Sequence, residues 1–110
     1  MLVLIADISQ NFHDPPSRPL LARYPAKIQC VRARRSFQSV WYDQHEWIEY
    51  SRQAKAIFCY ACRGFSVSDI VDKAFTSTGF SNWKKAQYKD AGLTSHAKFG
   101  CHIQAYIAWQ

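Results

Sequence analysis

The chain has 110 residues and a formal net charge of +6, from fourteen Lys and Arg against eight Asp and Glu, which sizes it as one domain with charge to spare for a polyanion. No segment approaches the ~18 apolar residues of a membrane helix, and the apolar run Met1 to Ala6 has no basic start and stops at Asp7, so neither a membrane span nor a secretory leader is expected. Seven Phe, six Tyr and four Trp can build a compact core from few side chains.

Residues 8 to 27 hold all four prolines, Pro15, Pro16, Pro19 and Pro25, which exclude regular helix. They predict an extended, weakly basic arm, read as a solvated tail, with His13 at the surface. The arm is assigned to 1-23 and the folded domain to 24-110. Next come Arg32, Arg34 and Arg35, then Phe37, Trp41 and Tyr42. The guanidiniums suit phosphate contacts, while the large rings are expected in the core.

Trp47 to Tyr50 and Ala56 to Tyr60 are rich in aromatic and β-branched residues, and Ser51 to Lys55 between them can turn. A β-hairpin follows from this, with Cys59 at the end of its second strand and Cys62 on the knuckle beyond. Val67, Ile70, Val71 and Ala74 recur at helical spacing, which predicts a short helix broken at Thr76 to Gly79. Ser81 is then the expected N-cap of a basic helix over 82–90 carrying Lys84, Lys85 and Lys89. In the C-terminal stretch Ile103, Tyr106, Ile107 and Trp109 form an apolar stripe on a last helix.

Cys59 and Cys62, two residues apart, can place both sulfurs on one tetrahedral cation, and His96 and His102 fall at the outer limit of His-x(3–5)-His spacing. Positions six apart on an ideal helix are turned by about 240°, so the two histidines need a break between them, for which Gly100 is the candidate. Cys101 is a rival fourth ligand on spacing. The expectation is one structural Zn2+ held by Cys59, Cys62, His96 and His102, in an α+β fold whose hairpin delivers the knuckle onto C-terminal helices. A thiol enzyme on Cys59 and Cys62, with Arg63 as the adjacent positive group, is the rival chemistry. It requires an exposed thiolate, against which the flanking aromatics argue.

Five blocks carry a family resemblance: Arg35 to Tyr42, Trp47 to Ser51, Ala56 to Arg63, Gly79 to Ala86, and the pair His96 and His102. In this order they resemble the TTF-type zinc finger of hAT-type transposases and related proteins, including relatives of the zinc-finger MYM-type proteins. The resemblance runs from about Tyr24 to Ala105 and favours His102 over Cys101 as the fourth ligand. It implies a non-enzymatic, nuclear, DNA-binding module, since the chain stops at Gln110 without the catalytic region of the family. Phosphate contacts are then assigned to Arg32, Arg34, Arg35, Lys84, Lys85 and Lys89. The alternative is a zinc-stabilised protein–protein interaction module that binds protein partners or self-associates, and neither reading involves a small-molecule substrate.

Overall fold

A computed structural model of the chain describes residues 7–11, 13–25, 27–30, 33–65, 72–86 and 92–110. Among these residues, two antiparallel strand pairs and four helices make a small α+β fold: β1 (Lys27–Cys30) with β2 (Ala33–Arg35), α1 (Val40–Gln44), β3 (Ile48–Ser51) with β4 (Ala56–Cys59), α2 (Tyr60–Phe65), α3 (Gly92–Lys98) and α4 (Gly100–Trp109). A π-helical turn (Ala74–Thr78) and a 3-10 turn (Trp83–Lys85) lie between α2 and α3.

The predicted hairpin forms in the register Ile48↔Cys59, Glu49↔Phe58, Tyr50↔Ile57 and Ser51↔Ala56. Its turn brings Lys55 into the left-handed region at φ 54°. All eight strand residues are buried, because both faces and both edges are covered. The Tyr50 N–H donates to the Ser17 carbonyl on one edge (2.9 Å), and on the other Ile57 and Phe80 exchange backbone hydrogen bonds of 2.9 and 2.8 Å. Covering both edges removes the unpaired groups through which a lone hairpin would aggregate. Gly79 permits the Phe80 pairing: its φ is +89°, and a Cβ there would stand 2.8 Å from the Ala56 Cβ.

Rings dominate the core, as their number predicts. Phe37 sits at its hub, with ring centroids 4.9 to 6.0 Å from Tyr24, Trp41, Tyr42, Tyr50 and Trp83. The three edge-on pairs among them, with Tyr24, Trp41 and Trp83, each add about 0.5–1.5 kcal/mol beyond the area they bury.

The proline-rich arm is extended, but it is not a solvated tail. Prolines deny it a ladder, so its remaining polar groups pair with side chains and loop carbonyls instead. Arg18 donates to the carbonyls of Tyr42, His45 and Ile48, and the Tyr24 and Tyr42 hydroxyls both donate to the Pro19 carbonyl. Glu49, with no exposed surface, accepts from the Ser9 N–H (3.0 Å), the Ser9 hydroxyl (2.9 Å), the Ser17 N–H (3.1 Å) and Arg63 (2.7 Å). A buried carboxylate is tolerated because its acceptor sites are occupied. His13 is exposed, as expected.

The other departures lie in the C-terminal half. Most of the helix expected over Val67 to Phe75 falls on residues 66–71, outside the described residues, and its end is the π-helical turn. Of the basic helix over 82–90, the described part is the 3-10 turn, with Asn82 rather than Ser81 at its cap position; 87–91 lie outside the described residues. The apolar stripe of the last helix is partly reversed: Ile103 and Ile107 are 46% and 68% exposed, while His102 and Ala105 are buried. At about 100° per residue, turning His102 inward brings Ala105, Tyr106 and Trp109 within ~60° of it and leaves Ile103 and Ile107 ~100° and ~140° away. The polar residue, not the stripe, sets the rotation of α4.

Replacing Glu49 by Ala should strand Arg63 and the Ser9 and Ser17 donors, costing about 3 kcal/mol in urea-induced unfolding. The arm should then be cleaved by trypsin after Arg23 sooner than in the parent, the Arg18–Pro19 bond being resistant in both. A variant that keeps both the parental midpoint and the parental cleavage rate would show that the network does not hold the arm.

Candidate metal centre

β4 carries Cys59 as its last residue, and α2, which starts at the next residue, carries Cys62 in its first turn. The Cys62 N–H points back at the Cys59 sulfur (3.4 Å), and the Tyr60 N–H donates to the Trp47 carbonyl (2.7 Å), which fixes the knuckle on the hairpin. The histidines arrive on separate helices, His96 on α3 and His102 on α4. The break between them is at Phe99, whose backbone is extended (φ −67°, ψ 131°), so Gly100 begins the second helix and does not itself supply the bend.

These four side chains meet. One ligand atom from each of Cys59, Cys62, His96 and His102 lies within 4.8 Å of the others, and all four residues are buried. A tetrahedral cation with metal–sulfur bonds of about 2.3 Å and metal–nitrogen bonds of about 2.0 Å requires S···N separations of about 3.5 Å. The observed values are 3.3 Å for Cys59 Sγ to His102 Nδ1, 3.5 Å for Cys62 Sγ to His96 Nε2 and 3.6 Å for Cys62 Sγ to His102 Nδ1. The donor set therefore fits a metal ion in both chemistry and spacing. Cys101 is half-buried and outside this group, which leaves His102 as the fourth donor.

Electrostatics at the sulfurs favour a cation. Burial pushes the Cys59 thiol up, whereas the Cys62 thiol is drawn well down, first by the hydrogen bond from Cys59 and then by the imidazoles of His102 and His96. A thiolate is thus already favoured at Cys62, and the thiolate is the form that binds metal. Neither sulfur offers the exposure that a thiol nucleophile requires, since Cys59 and Cys62 are 0% and 3% accessible.

Sequence spacing missed two contributors. Asp72 places Oδ2 3.1 Å from Nδ1 of His96, leaving Nε2 for the cluster, and Asp72 Oδ1 is itself steadied by the Ala74 N–H (3.2 Å). A carboxylate behind a ligating imidazole fixes its tautomer and raises its basicity. Nothing around Asp72 in the chain announces this, because the pairing spans 24 residues. Aromatic walls are the second contributor: Trp47 lies 4.9 and 4.8 Å from the rings of His96 and His102, and Phe75 stacks on His96 at 4.2 Å.

Of the residues assigned to phosphate contacts, Arg35, Lys84 and Lys85 are exposed. Arg32, the Arg34 side chain and Lys89 lie outside the described residues. No family model, curated protein or solved structure matches the chain.

Native mass spectrometry of the intact protein should show one bound metal ion, retained in Cys101→Ser and lost in Cys59→Ser. Changing Asp72 to Asn should weaken metal binding about ten- to a hundredfold in competition with a chromogenic chelator, because the imidazole loses its orienting carboxylate. Metal retention by Cys59→Ser would remove that sulfur from the site.

Proposed function

We propose that this chain is a zinc-binding, DNA-binding module related to the TTF-type fingers of hAT-type transposases, working in the nucleus. The observation that carries the reading is the buried Cys2His2 cluster, whose donors and spacing suit zinc better than oxygen-seeking cations. Zinc held there would be structural. Four protein donors fill a tetrahedron and leave no corner for water or substrate, and binding energy on the order of 10 kcal/mol would be coupled to folding.

Support for nucleic acid comes from the charge and from its arrangement. The first strand pair packs against the Trp83–Lys85 turn through β1, so the strand bearing Arg35 and the turn bearing Lys84 and Lys85 belong to one region of the fold. Between them a cavity of about 290 Å³ is lined by Arg35, Ser36 and Gln38 above Trp41 and Trp83. Guanidinium, hydroxyl and amide groups beside two lysines are the chemistry that phosphate and sugar contacts use. The blocks that resemble the family, Arg35 to Tyr42 and Gly79 to Ala86, supply these residues.

Binding to duplex DNA, followed by fluorescence anisotropy, should weaken steeply with salt. Each phosphate contact removed lowers the slope of log K against log salt by about 0.9. The triple variant Arg35→Ala, Lys84→Ala, Lys85→Ala should therefore lose about 2–3 from the slope while keeping its metal and its unfolding midpoint. Affinity that ignores salt, or a slope untouched by the triple variant, would exclude these residues as the phosphate face.

A further inference from the structure

The inward turn of His102 leaves a groove on the outer side of the cluster. It encloses about 450 Å³ between the α1–β3 corner, which contributes Asp43, His45, Glu46 and Trp47, and the α4 face bearing His102, Ile103 and Ile107. Its chemistry is the reverse of the basic region. Among the described residues two carboxylates and no Lys or Arg line it, on a chain of net charge +6. Burial pushes the His45 imidazole down, so that ring adds no cation at neutral pH. Phosphate would be repelled here.

A second observation concerns the histidines. His96 uses Nε2 at the cluster and has Asp72 on Nδ1, whereas His102 uses Nδ1 and its Nε2 has no hydrogen-bond partner among the described residues. His102 is only 4% exposed, and it lines this groove. With Nδ1 committed to the cluster, Nε2 carries a proton and needs an acceptor, as ligating histidines generally do. Inside an acidic groove that acceptor is better a neutral carbonyl than a carboxylate, which Asp43 and Glu46 would oppose.

The geometry points to a docking groove for a segment of another protein, one that combines apolar and basic side chains and gives a main-chain carbonyl to His102 Nε2. Its apolar residues cover Ile103 and Ile107, which form an adjacent exposed pair, and its Lys or Arg residues meet Asp43 and Glu46. Apolar contact with charge complementarity at the rim is how such segments gain affinity and register. The inference is independent of the DNA reading, because it uses none of the residues assigned to phosphate.

The test uses the intact metal-loaded protein and a random-peptide phage library. Selected peptides should share an aliphatic or aromatic residue flanked by Lys or Arg. A synthetic peptide of that consensus should shift amide resonances at His45, Ala97, Ile103 and Ile107 and should slow exchange of the His102 Nε2 proton. Ile107→Asp and, separately, Asp43→Lys should each weaken the peptide at least about tenfold, with metal content and unfolding midpoint unchanged. Acidic or absent consensus, insensitivity to both substitutions, or resonance shifts confined to the basic region would overturn the proposal. So would sedimentation showing that Ile107→Asp converts a dimer to a monomer, which would make a second copy the occupant, or duplex DNA shifting the same groove amides.

Discussion

Four donors drawn to one point, the outermost 43 positions apart in the chain, are the constraint on which the rest of this structure turns. Without a cation the cluster is costly: two sulfurs and two imidazoles are removed from water, and besides the Asp72 carboxylate on His96 mainly sulfur–nitrogen contacts compensate them. With one, the same groups become the strongest attachment in the domain, joining the hairpin to both C-terminal helices. A chain of this size has a modest core, and a metal held by the cluster would supply what additional burial cannot. The knuckle on β4 and α2 is fixed locally, so the long-range step is the arrival of α3 and α4. The cost of closing that loop is met only when His96 and His102 arrive together.

Aromatic rings make that arrival specific. Trp47 contacts both imidazoles and Phe75 stacks on one, so each ring has walls before any metal is considered. Trp47 also belongs to the same buried cluster as Phe37, Tyr50 and Trp83, and disturbance of the centre should therefore reach the hairpin and the 3-10 turn through direct packing. Arg63 extends the connection to the N-terminal arm. It lies next to Cys62 in sequence and donates to Glu49, whose carboxylate receives the arm at Ser9 and Ser17. The Cys2His2 cluster, hairpin and arm thus form one mechanical unit, although the prolines gave the arm no means of pairing as a strand.

Much of this was legible in the residues. Hairpin, knuckle and the Cys and His donors follow from alternation and spacing, because they depend on local geometry and on a coordination number that few residue types can fill. What was not legible is what depends on partners distant in the chain. Asp72 looks like any acid in a polar stretch until its 3.1 Å contact with His96 is seen. Four prolines excluded helix correctly, yet they say nothing of whether Ser9 and Ser17 will find a buried carboxylate. Gly100 was the obvious break, but one extended residue, Phe99, was enough to separate the helices. Periodicity also misjudged α4, since a stripe of apolar residues loses to a single imidazole drawn to the cluster in setting which side faces inward.

That last competition gives the molecule two unlike surfaces. Once His102 turns in, Ile103 and Ile107 must turn out, and the carboxylates of the α1–β3 corner face them across the groove. Tyr106 crosses the gap and its hydroxyl donates to Glu46, tying α4 to the corner at one end. Meanwhile the exposed cations Arg35, Lys84 and Lys85 belong to the region around β1 and the 3-10 turn, built from different elements. Segregation of this kind has a physical use: a polyanion and a basic protein segment would compete for a surface of mixed charge, but each meets its own complement where the signs are kept apart. The demand that an imidazole reach a sulfur would therefore fix, through the rotation of one helix, both the stability of the domain and the placing of its surfaces.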